Sequence, residues 1–234
     1  MSQLPWLDQS YNFPPISLAL TEPNGLLAAG GDLSPSRIIS AYEQGIFPWY
    51  SDDQPILWWS PNPRCIILPQ DAHSSKSLKK HIRKTNPILT FDTCFEDVIH
   101  YCARTESDDG TWITEEMESA YINLYKLGHA HSVEVWENNQ LIGGLYGLAI
   151  GKCFFGESMF SRKPNSSKIA FTSLCEQLHK WGYTLVDCQV ENPHLISLGA
   201  STVDREHFLS ILKPGVSQQP NTHLWQFDTD SKTL

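Results

Sequence analysis

Three strand-like segments follow one another so closely in this sequence that they can pair in only one way. They cover residues 131–137, 140–149 and 152–159, and the gaps between them, Asn138-Asn139 and Ile150-Gly151, are two residues long. Two-residue connections join neighbouring strands as hairpins. The spacing therefore predicts an antiparallel meander of three strands.

Helices flank this meander. Thr114 is typical of a helix N-cap and Gly128 of a C-terminal stop, which predicts a helix over 114–127. A second helix over 166–181 and a strand over 184–190 follow, and this order predicts an α+β fold. The other predicted elements are a helix at 34–44, an aromatic turn at 45–50, strands at 56–59 and 65–68, a helix at 74–84, a strand at 89–91, and helices at 94–104, 193–198 and 204–212.

The composition excludes a largely disordered chain, because 41% of the 234 residues are hydrophobic and 18% are charged. No run approaches the roughly 18 apolar residues of a membrane span. The start also lacks the basic and apolar regions of a signal peptide, so we expect a soluble, cytoplasmic protein. The six cysteines form no C-x-x-C pair and are expected to be reduced thiols. His129 and His131 have no nearby partner at ligand spacing, so no metal or small cofactor is implied.

The charge is unevenly distributed. The chain carries a net charge of −9, which argues against indiscriminate nucleic-acid binding, but residues 64–84 contain six cationic side chains and one carboxylate, a local charge of +5. Such a patch can hold phosphates at one place, although an ordinary solvated helix face explains it equally well. The charge alone does not identify the partner.

Three polar residues lie within otherwise apolar strands and are candidates for chemistry. They are Glu157, Asp187 and Gln189, and burying such groups is costly unless they are paired or used. Asp187 and Gln189 are two residues apart and share a strand face, so one can orient the other. Cys188 is expected to point away from both, which discounts it as a nucleophile. The glycine-rich strand 142–147 indicates a bulge, close backbone approach or a strongly bent sheet.

Two tryptophans lie in turns rather than in predicted core elements. Trp49 follows Phe47-Pro48, and Trp112 lies within Gly110-Thr111-Trp112-Ile113-Thr114. Aromatic side chains on loops often present a flat face on which a base can stack.

Several long motifs resemble the leucyl/phenylalanyl-tRNA–protein transferase family. They occur in the family's order from residue 22 to about residue 200, which is most of the chain, whereas the tail beyond about residue 213 matches poorly. The motifs are Glu22-Pro23-Asn24-Gly25-Leu26-Leu27, Gly30-Gly31-Asp32-Leu33-Ser34-Pro35, Gly45-Ile46-Phe47-Pro48-Trp49, Leu57-Trp58-Trp59-Ser60-Pro61, Gly110-Thr111-Trp112-Ile113-Thr114, Gly128-His129-Ala130-His131-Ser132, Phe155-Gly156-Glu157-Ser158-Met159-Phe160-Ser161 and Asp187-Cys188-Gln189-Val190.

The resemblance implies a bacterial enzyme that moves Leu, Phe or, less readily, Met from its tRNA onto a protein beginning with Arg or Lys, creating an N-degron for degradation. It also implies a small N-terminal α/β domain, placed at 1–62, and a GNAT-like acyltransferase domain with a mainly antiparallel sheet, placed at 63–234. A monomer without a cofactor is expected, with aminoacyl-tRNA and the acceptor protein as partners.

By the same resemblance, Gln189 aligns the acceptor amine with the ester, Asp187 orients Gln189, and Glu157 holds the amino group of the aminoacyl moiety or shapes the site. Whether Asp187 instead takes the proton or attracts the cationic acceptor stays open. The aminoacyl pocket is expected to be lined by Leu145, Phe154, Phe155, Leu174 and Val186. The 3′-terminal adenosine is expected against Trp49 and Trp112 with support from Tyr42 and Tyr121, and the tRNA phosphates against Lys76, Lys79, Lys80, Arg83 and Lys84.

Two functions from other classes compete with this interpretation. An acetyl-CoA-dependent acetyltransferase would need a glycine-rich turn before the helix at 166–181, and residues 162–168 contain no glycine. A non-catalytic RNA-binding module would leave the paired polar residues Asp187 and Gln189 without a purpose. Both features favour the aminoacyltransferase.

Overall fold

The computed structural model describes residues 4–104, 113–220 and 224–228, and within these ranges the chain forms eleven strands and seven α-helices in two sheets. The smaller sheet has the order β1-β2-β4-β3 and draws all its strands from the first 59 residues. Its strands are β1 (Trp6–Leu7), β2 (Leu26–Gly30), β3 (Phe47–Pro48) and β4 (Leu57–Trp59).

The helix of the N-terminal part forms as the sequence predicts. Helix α1 spans Pro35–Glu43, with Ser34 at the N-cap and Pro35 at the first helical position, where the missing N–H of proline costs nothing. It buries Tyr42 and Ile38. In the small sheet, the indole of Trp58 donates a hydrogen bond from Nε1 to the carbonyl of Gly30 at 2.9 Å.

The larger sheet has seven strands in the order β11-β5-β10-β9-β8-β7-β6. All neighbours pair antiparallel except β9 and β10, which run parallel. The predicted meander and the α+β class with a mainly antiparallel sheet are confirmed. The strands are β5 (Arg64–Ile67), β6 (Ile88–Phe91), β7 (Ala130–Glu137), β8 (Gln140–Ile150), β9 (Cys153–Ser161), β10 (Leu185–Gln189) and β11 (Ser201–Val203).

Helices cover both faces of this sheet, because adjacent strand residues point to opposite sides. Phe155 packs in one apolar cluster with helices α3 and α4, and Phe154 packs in the other with α5 and α2. The hydroxyls of Ser75 and Thr114 cap α2 and α4. The helices are α2 (Lys76–Thr85), α3 (Phe95–Ala103), α4 (Glu115–Lys126), α5 (Ser166–Lys180), α6 (Pro193–Ser197) and α7 (Arg205–Val216).

Strands β1, β2, β3 and β11 were not anticipated from the sequence. Each has at most five residues, too few for a clear alternation of apolar and polar positions, and β3 falls within the predicted aromatic turn. The predicted domain boundary after residue 62 lies in the loop between β4 and β5. One apolar cluster nevertheless holds Trp58 from the first part together with Phe155 and Phe208 from the second.

Residues 224–228, the described piece of the tail, pack on the larger sheet. Trp225 stacks on His131 with ring centroids 3.7 Å apart, and Phe227 stacks on Phe91 at 4.1 Å. All six cysteines are free thiols. None of the helices in the described ranges is both long and apolar enough to cross a membrane.

Candidate active site

A cavity opens where the parallel strands β9 and β10 separate. Their pairing ends at Asp187 and Phe155, and beyond that point the two backbones diverge. The residues that follow on each strand, 156–159 and 188–191, line a cavity of about 730 Å³. The side chains at the ends of both strands therefore face a shared space large enough for a small ligand.

Two β-bulges adjust the side chains at this split. Glu157 is an extra residue on β9, because Ser158 pairs with Tyr146 and Gly156 pairs with Gly147. A Cβ on Gly147 would lie 2.1 Å from the carbonyl oxygen of Phe155, so only glycine fits there. The bulge that the glycine-rich strand indicated is therefore present, and it re-aims Glu157.

Glu157 forms a closed network with two tyrosines. The hydroxyl of Tyr42 lies 2.8 Å from Oε1, that of Tyr121 lies 3.0 Å from Oε2, and the two hydroxyls are 2.6 Å apart. Three oxygen–oxygen contacts need three hydrogens, and two phenols supply only two. A protonated Glu157 supplies the third.

The electrostatics agree with this hydrogen count. Burial raises the pKa of Glu157 to about 8, and the hydrogen bonds from the two tyrosines only partly oppose that shift. Burial also raises the pKa values of Tyr42 and Tyr121, so both phenols stay protonated. Neither tyrosine ring is exposed to solvent. The structure thus places both rings in the core with their hydroxyls on Glu157, and their support of an adenosine stays a prediction.

Asp187 is held by a residue that the sequence analysis had placed in the basic patch. Arg64 donates from Nε to Oδ1 at 2.8 Å and from Nη2 to Oδ2 at 2.7 Å, and both side chains are fully buried. The guanidinium also donates to the carbonyl of Gly45 at 3.1 Å and lies between the rings of Phe47 and Phe208. The negative charge of Asp187 is therefore compensated inside the protein.

Gln189 receives its position from Asp187 through the backbone. Its N–H donates to Oδ1 of Asp187 at 3.0 Å, and its φ of 55° follows the second bulge, in which Cys188 is the extra residue on β10. The side-chain Nε2 of Gln189 lies 3.5 Å from Oε1 of Glu157. The structure therefore brings Glu157, Asp187 and Gln189 together, with the carboxylate of Asp187 behind the other two.

One side of the cavity is apolar. Leu145, Phe154 and Leu174 line it, and Met159 and Phe171, which were not predicted, extend the same wall. The other two predicted pocket residues lie elsewhere: Phe155 faces the opposite side of the sheet against Tyr42, with ring centroids 5.0 Å apart, and Val186 is buried in the apolar cluster without lining the cavity.

Comparison with known proteins decides the family. A family described as leucyl/phenylalanyl-tRNA protein transferase matches residues 66–213, and the N-terminal domain of the same family matches residues 31–62. The chain belongs to the leucyl/phenylalanyl-tRNA–protein transferase family.

Relatives of this family align over nearly the whole chain. The transferase of Hahella chejuensis is 54% identical and aligns over 98% of both chains. That of Hydrogenovibrio crunogenus is also 54% identical, over 96% of this chain and 89% of its own. Among solved structures, a GCN5-related N-acetyltransferase from Kribbella flavida superposes with a TM-score of 0.32 at 11% identity, over 72% of this chain and 60% of that one.

A tryptophan that lines the cavity is exposed to solvent. Trp49 lines the cavity with 47% of its surface exposed. Trp59 fixes the loop by donating from Nε1 to the carbonyl of Trp49 at 2.6 Å, and the two rings lie 5.7 Å apart. Trp112, the predicted second stacking residue, lies outside the described residues.

Helix α2 presents the predicted cationic side chains along one face. They are spaced three and four residues apart, so they project from the same side of the helix, and all are exposed. Leu78 alone is fully buried and anchors the helix to the core. Within the described part of the chain, none of the five forms an ion pair. They are Lys76, Lys79, Lys80, Arg83 and Lys84.

Cys188 lines the cavity together with Gln189, although it was expected to point away from Gln189 and Asp187. Asp187 does not line the cavity, and the bulge at Cys188 breaks the strict alternation between Cys188 and Gln189. A hydrogen bond with Cys65, together with burial, holds the pKa of the Cys188 thiol well above its usual range. The residue therefore stays a thiol, and it remains a poor nucleophile for this different reason.

Three further residues of the cavity were missed by the sequence analysis: Tyr146, Glu191 and His194. The hydroxyl of Tyr146 and Nε2 of His194 are buried, and neither has a hydrogen-bond partner within the described ranges. Burial and the nearby charge of Lys168 lower the pKa of His194, so its ring is neutral. No spacing in the sequence predicts these residues, because they come from different segments that meet only in the folded chain.

One histidine near the start of β7 has a carboxylate partner. Nδ1 of His131 lies 2.7 Å from Oδ2 of Asp92. The described residues contain no group of three or more potential ligands placed to hold a metal ion.

Proposed function

We propose that this chain transfers leucine or phenylalanine from aminoacyl-tRNA to the N-terminal Arg or Lys of a protein and forms a peptide bond. The observation that carries this function is a cavity with one apolar side and one polar side, in a chain of this family. Its apolar wall suits a Leu or Phe side chain, and Gln189 and Glu157 lie beside that wall.

The chemistry asks for positioning more than for a strong catalyst. The nitrogen of the acceptor amine attacks the ester carbonyl carbon, the bond from that carbon to the tRNA oxygen breaks, and the amine proton leaves as the tRNA hydroxyl gains one. Because the ester is already activated, aligning the two reactants lowers most of the barrier. Gln189 is proposed to align them, since its amide both donates and accepts hydrogen bonds.

Asp187 acts in this proposal as a positioning residue for Gln189. Its carboxylate is fully buried and paired with Arg64, so it neither takes a proton from the acceptor nor attracts its charge. Glu157 has a proton affinity close to that of an α-amine, whose pKa is about 8. It is proposed to accept a hydrogen bond from the uncharged aminoacyl amino group or to shape the site.

The tRNA is proposed to lie across Trp49 and helix α2. Trp49 would stack on the terminal adenosine, and the cationic face of α2 would contact phosphates without reading sequence. Methionine is proposed as a poorer donor, and the product as an N-degron. We further propose a monomer in the cytoplasm, because aminoacyl-tRNA is made and used there.

Transfer of labelled phenylalanine from Phe-tRNA tests the function. The acceptors are three peptides that differ only in their first residue, which is Arg, Lys or Ala. Transfer to the Arg and Lys peptides alone is expected. Binding of the tRNA without transfer to any peptide would support a binding module instead, and no binding of tRNA would contradict the proposal altogether.

A further inference from the structure

The proposed acceptor brings a second positive charge to the cavity besides its amine, namely the guanidinium or ammonium at the end of its first side chain. A carboxylate is the natural partner for either cation. Two carboxylates line the cavity within the described residues, Glu157 and Glu191. Asp187 does not line it and is already paired with Arg64.

Glu157 is poorly suited to this role. Its two oxygens are occupied by the hydroxyls of Tyr42 and Tyr121, and the three contacts of that network are complete only when the carboxyl is protonated. A neutral carboxyl offers no charge to an incoming cation.

Glu191 has the opposite character. Its side chain is exposed at the rim of the cavity, on the segment between β10 and α6, and it has no cation within 4.0 Å in the part of the chain that the structure describes. Its carboxylate is therefore open to a cation that arrives from solvent. It is also only two residues from Gln189, next to which the reacting amine is proposed to lie.

Different sides of the cavity suit the aminoacyl donor and the acceptor. The apolar wall that includes Phe154 and Leu174 leaves the donor side chain on one side. The segment carrying Gln189 and Glu191 forms another side, which is open to solvent at Glu191. An amine held at Gln189 therefore has its own side chain within reach of this rim.

We infer that Glu191 is a specificity-determining residue that contacts the cationic side chain of the first residue of the acceptor. This inference rests on the proposed function. A single exposed carboxylate accepts a hydrogen bond from either a guanidinium or an ammonium, so it selects for charge at the end of a long side chain rather than for one geometry. That is the property which Arg and Lys share.

A cycle of two enzymes and two peptides tests the inference. The enzymes are the full chain and its Glu191→Gln variant, and the peptides begin with Arg or with citrulline, its uncharged analogue of nearly the same shape. We expect Glu191→Gln to lower kcat/KM for the Arg peptide about fivefold, the effect of an exposed salt bridge, and to leave the citrulline peptide unchanged. Glu206→Gln, which removes an exposed charge from α7 outside the cavity, is the matched control.

The outcomes separate this inference from the function on which it rests. An equal loss for both peptides would overturn it, because the carboxylate would then not sense the charge. A change in the KM for Phe-tRNA alone would also overturn it and would place Glu191 against the donor. If the unaltered chain transfers phenylalanine to neither the Arg nor the Lys peptide, the proposed function itself fails.

Discussion

Arg64 and Asp187 form a bidentate ion pair, with nitrogen–oxygen distances of 2.8 and 2.7 Å, although 123 positions separate them in the sequence. The pair joins β5 to β10 at the point where β10 leaves β9. It also holds the oxygen that accepts the backbone N–H of Gln189. The internal ion pair thus fixes the residue that is proposed to align the substrates.

Breaking this pair from one side should be costly. Arg64→Leu leaves the carboxylate of Asp187 buried without a partner, and we expect the free energy of unfolding to fall by about 3–5 kcal/mol. The double variant Arg64→Leu/Asp187→Leu should recover part of the loss because no buried charge remains. Urea titration of the three proteins checks this, and equal stability of the single and double variants would contradict it.

Gln189→Ala should lower kcat for transfer about a hundredfold, because the reacting groups lose their alignment. The KM for Phe-tRNA should change little, since the phosphates and the adenosine are proposed to contact α2 and Trp49 instead. Gln140→Ala, at an exposed position in β8, is the control. Steady-state transfer to the Arg peptide measures the effect, and near-normal turnover would remove Gln189 from the mechanism.

Glu157 should make the protein less stable as the pH rises. Its pKa is about 8 in the folded chain and 4.5 as a free side chain, so the folded state binds the extra proton between these values. The contribution of this proton to the free energy of unfolding is complete below pH 4.5 and is lost as the pH rises to about 8. In Glu157→Gln, whose amide keeps one donor and one acceptor, this loss should be absent.

Unfolding free energies of the unaltered chain and of Glu157→Gln at several pH values between 5 and 8.5 test this expectation. The difference between the two proteins should shift steadily in favour of the variant as the pH rises. A difference that does not depend on pH would show that Glu157 is ionised in the folded chain.

Helix α2 should contribute to tRNA binding in a way that depends on salt. The triple variant Lys79→Gln/Lys80→Gln/Arg83→Gln is expected to raise the KM for Phe-tRNA. The slope of the logarithm of the binding constant against the logarithm of the salt concentration should also become shallower, by somewhat less than about 1 for each lost phosphate contact. A triple variant on other helices, Lys126→Gln/Lys180→Gln/Lys213→Gln, makes the same change in net charge. Equal effects of the two variants would mean that only the total charge matters.

Leu174 should influence which aminoacyl group is preferred. Leu174→Ala widens the cavity at its apolar wall. The ratio of transfer from Phe-tRNA to transfer from Leu-tRNA should therefore rise about five- to tenfold, within the range of a methylene-scale change. Competition between Phe-tRNA and Leu-tRNA in one reaction measures the ratio, which does not depend on how much enzyme is folded. Val186→Ala, at a buried position that does not line the cavity, is the control.

Residues close together in the chain allowed much of the fold to be predicted. The two-residue gaps before Gln140 and after Ile150 specify the meander, because a connection of that length can only form a hairpin. The cap Thr114 similarly marks the start of α4. Glu157, Asp187 and Gln189 were found because polar groups within apolar strands need a partner or a use.

The rest of the site depended on contacts between distant parts of the chain. The family resemblance assigned Phe155 to the pocket wall, but Phe155 faces the other side of the sheet. Period-two alternation separated Cys188 from Gln189, but the bulge at Cys188 lets both line the cavity. A bulge shifts register without leaving a pattern in the residues around it. The contacts of Tyr42 and Tyr121 with Glu157 were not predictable for a related reason, since only packing shows which group a buried phenol contacts.

The sequence by itself determined the class of fold, the order of its helices and longer strands, and the family, because these depend on local spacing and on motifs that are contiguous in the chain. The tertiary structure alone decided that Arg64 is buried against Asp187 and not part of the basic patch. It also decided that Glu157 shares its proton network with Tyr42 and Tyr121. Both depend on burial. A charged group that the folded chain removes from water must be paired, as Asp187 is, or must keep its proton, as Glu157 does.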